Sequence, residues 1–172
     1  KPQVAHHDAY ELQFLSDALK CNLLFEKLAS YQVASALSHM KKMEVAQSEC
    51  LCRQGEQDAR HMYVVMTGGF DVHIKKDGAE GPVRVARVDP GCCVGEMALL
   101  YASNRSATVQ ATTKSVVFSL SRSDYQSVLL ETPEDVNAER VQFLRSNEFL
   151  HGVSDAKLNA IAQCCQEGQV KE

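Results

Sequence analysis

The chain has 172 residues, 45% of them hydrophobic, with 18 Lys and Arg against 22 Asp and Glu for a formal net charge of −4. That length suits one domain with a good core, or one domain plus part of another, and the apolar content excludes extended disorder. A mildly acidic chain lacks the basic face that sequence-independent nucleic-acid binding requires, and no apolar run approaches membrane-spanning length. No signal peptide is visible, and the chain opens on Lys1 rather than methionine, which reads as an excised fragment. The seven cysteines include Cys50-x-Cys52, Cys92-Cys93 and Cys164-Cys165, spacings that fit no metal signature. They read as reduced thiols of an intracellular, cytoplasmic protein, several buried as small hydrophobes. His6-His7 sits outside any ligand constellation.

From Asp8 to Leu28 the apolar positions Leu12, Leu15 and Leu19 recur at helical spacing and run into Leu23-Leu24-Phe25. Ser30 offers an N-cap for a second helix whose inner face is Val33, Leu37 and Met40. Helices are thus expected over 8–40. From Met43 the period changes to two. Val45 begins a short strand, Cys50-Leu51-Cys52 another, and Met62 to Met66 is a compact apolar run turned by Gly68-Gly69 into the alternating Phe70, Val72 and Ile74. Asp77-Gly78 is a hairpin turn, Val83, Val85 and Val88 follow, and Asp89-Pro90-Gly91 closes them. After 107 the alternation Ala107, Val109, Ala111 resumes, then Val116 to Leu120. Roughly eight short strands with regular turns predict a β-sandwich or barrel over 43–120. Helical period returns with Tyr125, Val128 and Leu129 on one face. Thr132-Pro133-Glu134-Asp135 reads as cap, proline and acids at the start of a helix running through Val141 and Leu144. A last helix begins near Ser154-Asp155 with Leu158, Ile161 and Cys165 inward.

The most informative stretch is Gly95-Glu96-Met97-Ala98-Leu99-Leu100-Tyr101-Ala102-Ser103-Asn104-Arg105-Ser106-Ala107-Thr108-Val109. A glycine and an acid precede one or two helical turns, then a polar loop delivers a single arginine into a strand. The free N–H groups of a short helix converge on one spot, which favours an anion, and Arg105 brings a forked, permanent charge to it. Glu96 would repel a free phosphate but accept hydrogen bonds from hydroxyls, so the combination suits a ligand with both a phosphate and a sugar diol. The alternative is an exposed Glu96–Arg105 ion pair of little energetic weight, which leaves the glycine and the Ala-Thr-Val strand unexplained.

Gly-Glu-x-Ala-Leu-x-Tyr-x-x-x-Arg-x-Ala-Thr-Val resembles the phosphate-binding cassette of cyclic nucleotide-binding domains, as in regulatory subunits of cAMP-dependent protein kinase and in cGMP-dependent protein kinase. The resemblance implies an α+β fold, an eight-stranded antiparallel β jelly-roll barrel flanked by N-terminal and C-terminal helices. It implies a ligand, cAMP or cGMP, held by Gly95, Glu96, Met97, Ala98, Arg105, Ser106 and Ala107, with Glu96 on the ribose 2′-hydroxyl and Arg105 on the cyclic phosphate. No cofactor and no metal are implied. Ser48 stands where the family usually has glycine, and Tyr125 is a candidate to cap the base. Ser106 occupies a position where cGMP-dependent kinases typically place a hydroxyl, and Asn22 also resembles that group, so cGMP is favoured with cAMP close behind.

A shift of 125 residues lays Asn22-Leu23-Leu24-Phe25 on Asn147-Glu148-Phe149-Leu150, Leu28 on Val153, Val33 on Leu158, Met40 on Cys165 and Val45 on Val170. Residues 1–145 therefore read as one domain (helices 8–40, β-roll 43–120, helices 121–145) and 146–172 as the truncated start of a second. The expected function is a regulatory, non-enzymatic module that relieves inhibition of a protein kinase catalytic domain or subunit, with no nucleic acid or membrane partner. A regulatory subunit of the cAMP-dependent type and a sensor of another effector such as a channel remain open. A metal-bearing jelly-roll enzyme would need clustered histidines, and only His61 and His73 fall on predicted strands. A transcription regulator would need a basic helix-turn-helix, which residues 157–172 do not supply.

Overall fold

The structure, a computed structural model, describes residues 7–76, 78, 80–150 and 152–164. The chain falls into two compact units that divide between Leu129 and Leu130. The first begins with α1 (Ala9–Lys20), whose N-terminus is closed by a capping box between Asp8 and Glu11. The helix ends at Lys20, short of the expected Leu28. Asn22 Oδ1 accepts the Leu24 N–H (3.0 Å), and a series of tight turns carries the chain through residues 21–28. The second helix, α2 (Ser30–His39), starts on the residue assigned from sequence as its cap: Ala29 is the N-cap, and Gln32 Oε1 accepts its N–H at 3.1 Å. Ser30 is therefore inside the helix.

Eight strands follow: β1 (Lys41–Val45), β2 (Cys50–Cys52), β3 (His61–Thr67), β4 (Phe70–Ile74), β5 (Val83–Val88), β6 (Cys93–Val94), β7 (Thr108–Ala111) and β8 (Ser115–Ser121). They form two antiparallel four-stranded sheets, ordered β1-β8-β3-β6 and β2-β7-β4-β5. Among the described residues no ladder joins the sheets, so of the β-sandwich or barrel expected the fold is a jelly-roll-like pair of antiparallel sheets, and the jelly-roll barrel is not closed. The first strand begins at Lys41 and ends at Val45, where the sequence suggested a beginning, because all five residues pair with β8. Asp77 lies outside the described residues.

Two apolar cores explain the strand patterns. Val65 and Val117 turn inward with Phe70, Val88, Val109 and Ala111 to fill the space between the sheets. Met62, Val64, Phe118 and Leu120 point the other way, against Leu15, Leu19 and Leu37 of the N-terminal helices and Phe25 and Met40 of the segments that follow them. Strands β3 and β8 are thus covered on both faces, which is why each carries consecutive apolar residues, Met62 to Met66 and Val116 to Phe118, whereas β4 alternates. Burying each of these large side chains contributes about 1.5–3 kcal/mol. Val83 and Val85 are exposed because β5 is an edge strand. The helix α4 (Arg122–Leu130) adds Tyr125 and Val128 to the helical core but leaves Leu129 exposed, against the expected shared face.

The second unit contains α5 (Pro133–Arg145), a 3-10 turn at Glu148–Leu150 and α6 (Asp155–Cys164). Thr132 caps α5 in a box with Asp135, with proline at the first helical positions, as its four-residue signature indicated. Val141, Leu158 and Ala162 form its core, with Ala162 in the place expected of Ile161, which is partly exposed. Cys165 and Val170 lie outside the described residues. The six described cysteines are free, and of these only Cys52 is buried. No helix among the described residues is long and apolar enough to cross a membrane.

Candidate functional site

The connection from β6 to β7 carries the site. It opens on Gly95 with φ +78°, a left-handed conformation that suits glycine, and continues through α3 (Met97–Leu100), with Glu96 as its N-cap. The helix is a single turn: Ala98 N–H returns to Gly95 O, Leu99 N–H to Glu96 O and Tyr101 N–H to Met97 O, each at 3.0 Å. The loop after it is fastened to the turn between β2 and β3, Arg105 N–H donating to Glu56 O (3.0 Å) and Gly55 N–H to Arg105 O (2.8 Å).

Arg105 is 9% exposed and does not pair with Glu96. Its Nη2 donates to His61 O at 2.7 Å, its guanidinium carbon lies 5.8 Å from the centre of the Tyr63 ring, and its buried Nε has no partner among the described residues. A cation held this way, by a carbonyl and an aromatic face with no carboxylate against it, keeps its charge available to an anion. The exposed ion pair is thereby excluded.

All seven residues assigned from the sequence, Gly95, Glu96, Met97, Ala98, Arg105, Ser106 and Ala107, line one open cavity of about 270 Å³. Ala98 is buried, Ala107 half-buried, and Met97 and Ser106 are exposed at its rim. The rest of the lining is largely apolar and includes Cys52, Ala59, Val72, Cys93 and Val109. A polar rim with one buried cation and one carboxylate, beside a largely apolar lining, is a site for a compact amphiphilic anion.

Several participants escaped the sequence. Tyr63 and His61, stacked at 6.4 Å, seat Arg105 from a strand remote in sequence. Burial pushes the Tyr63 phenol up, and burial followed by the Arg105 guanidinium holds the His61 imidazole below its usual value. The Cys93 thiol is pushed up to about 11, chiefly by burial, so at neutral pH this part of the lining is uncharged. Strand alternation could have found Tyr63 facing inward with Val65; nothing local identifies its contact with Arg105. Tyr125 does not line the cavity: it is buried edge-on against Phe25, and its hydroxyl donates to Leu24 O at 3.0 Å. His61 and His73 lie on strands of different sheets.

Residues 42–132 match the cyclic nucleotide-binding domain family. The cAMP-dependent protein kinase regulatory subunit of Blastocladiella emersonii is 36% identical over 145 residues, covering 84% of this chain and 36% of that protein. The cGMP-dependent protein kinase 2 of Rattus norvegicus is 26% identical over 159 residues, covering 92% of this chain and 20% of that protein. The regulatory domain of Toxoplasma gondii PKA, solved with cAMP, superimposes with a TM-score of 0.65 at 25% identity, over 91% of this chain and 59% of that one. The chain spans about a third of the length of the curated relatives it matches.

Proposed function

The chain belongs to the cyclic nucleotide-binding domain family, and from that premise we propose that it is a cytoplasmic regulatory module that senses a cyclic nucleotide and relieves inhibition of a protein kinase, with no catalysis of its own. The observation that carries the binding is Arg105, buried against the cavity, with no ion pair and no partner for its Nε among the described residues. A buried cation is costly alone, and a phosphate entering the cavity offsets that cost. Glu96, at the N-cap of α3 on the same cavity, is free to accept from the ribose hydroxyl. Ser106 at the rim presents a hydroxyl suited to the guanine amino group, and on it we take cGMP as the preferred ligand. The higher identity to a cAMP-dependent regulatory subunit favours cAMP as the second reading.

Residues 1–145 would form one domain and 146–172 the start of a tandem second. The repeat supports this bond by bond. Shifted by 125 residues, α2 (Ser30–His39) falls on α6 (Asp155–Cys164), and the ends of α1 and α5, Lys20 and Arg145, coincide. Asn22 Oδ1 accepts from Leu24 N–H at 3.0 Å, and Asn147 Oδ1 from Phe149 N–H at 3.0 Å. Leu28 N–H reaches Phe25 O at 3.1 Å, and Val153 N–H reaches Leu150 O at 3.1 Å.

Calorimetric titration with cGMP, cAMP and the plain nucleosides tests the reading. Arg105→Ala should weaken cyclic nucleotide binding by roughly 2–5 kcal/mol while the protein remains folded. Unchanged affinity in the folded variant would remove Arg105 from the site.

A further inference from the structure

We propose that Arg122 is a positioning residue of this nucleotide site: it pins two segments that line the cavity, residue 59 before β3 and α3, to each other and to the start of α4 without touching the ligand. The inference rests on the binding function proposed above. Arg122 is the first residue of α4, and its side chain reaches three main-chain carbonyls. Nε donates to Ala98 O, and Nη2 to Ala59 O and Tyr101 O, each at 2.6 Å. Its own N–H donates to Arg60 O at 2.7 Å, continuing the line of the β3–β8 pairing.

The acceptors come from two segments remote in sequence. Ala59, before β3, and Ala98, within α3, are buried and line it, and Tyr101 is the residue at the end of α3. A helix of one turn has no stability of its own, and its last carbonyls form the negative end that a cation complements. The planar fork of an arginine, with five donors in fixed directions, can hold acceptors from two segments together; a lysine ammonium gathers them only around one point. Through this clamp Arg122 sets where α3 stands, and with it the positions of Glu96 and Met97 at the cavity. A shift of α3 on ligand binding is in turn felt at the first turn of α4.

The test uses Arg122→Gln and Arg122→Lys, with Arg84→Gln, in an exposed ion pair with Asp71, as the control for loss of a surface charge. Binding of cGMP and cAMP is measured by calorimetry, and amide exchange in the nucleotide-free protein. Arg122→Gln is expected to weaken both nucleotides about tenfold or more. It should also speed exchange at 97–101 by about tenfold with β4 and β5 unchanged, and Arg122→Lys should fall between it and the wild type. A residue that merely supports the fold would instead speed exchange throughout and leave the affinity of the folded protein intact. Should Arg122→Gln not fold, Arg122→Lys decides. Affinities within about threefold of wild type, or unchanged exchange at 97–101 in a folded variant, overturn the proposal. If the wild type binds neither nucleotide, the functional reading fails, while the exchange measurement still decides the role of Arg122.

Discussion

The Arg105 guanidinium lies directly beneath Gly95, so closely that a methyl group added to Gly95 would overlap its Nη1 and come within 3.2 Å of His61 O. The glycine serves two ends at once, a left-handed backbone and room for the buried cation. Gly95→Ala should therefore lose about 1–2 kcal/mol from backbone conformation alone, and more from displacing Arg105. Denaturant unfolding and calorimetry together read this, with stability and nucleotide affinity expected to fall in parallel. A variant as stable as wild type and equally tight would show that Arg105 can leave its seat without consequence.

Ser106, exposed at the cavity rim, is the expected discriminator of the base. One well-placed hydrogen bond is worth about 1–2 kcal/mol, or roughly tenfold in affinity. The wild type should prefer cGMP, and Ser106→Ala should erode that preference by weakening cGMP alone. A preference for cAMP that the substitution leaves untouched would reverse the assignment.

His61 should report on the charge at Arg105. Its imidazole is held below its usual value by burial and then by Arg105, with Asp124 pulling the other way and Lys41 and Arg60 adding to the depression. The unfolded chain thus takes up the proton first. The contribution to stability is complete above the unfolded value of about 6.5 and is lost as pH falls through the lower folded value. His61→Gln should flatten that part of the pH profile. A phosphate on Arg105 removes part of the repulsion, so NMR titration should place the His61 midpoint higher with cyclic nucleotide bound than without. Identical midpoints would mean the ligand charge is not at Arg105.

Ser48 adopts φ +69°, the left-handed region that glycine fills at no steric cost. Its backbone is held there by Ser48 N–H to Ala111 O (2.8 Å) and by Gln110 Nε2 donating to Ser48 O (2.8 Å). Relief of a strain of about 1–2 kcal/mol, set against about 0.5–1 kcal/mol of added chain entropy, predicts that Ser48→Gly is neutral to mildly stabilising. Thermal unfolding decides it, and a lower melting temperature would show that the serine side chain contributes beyond its backbone.

Short-range chemistry governs the features that were legible along the chain. The cassette is contiguous, so its glycine, its single turn of helix, Glu96 and Arg105 could be read in place, and the seven residues named from it line one cavity. The Thr132-to-Asp135 cap and the repeated turns at Asn22 and Asn147 are likewise local hydrogen bonds between near neighbours. Which surfaces meet depends on the packing of distant segments. Helical period marked a face for Leu129 and Ile161 but not what would cover it, and both are partly exposed. Alternation placed Val83 and Val85 on a strand but not at a sheet edge, where they face solvent. The seat of Arg105 on Tyr63 and His61, and the clamp of Arg122 on Ala59, Ala98 and Tyr101, join segments between 21 and 63 residues apart. Such contacts follow from packing two sheets and their helices around shared cores, and no periodicity along the chain encodes them.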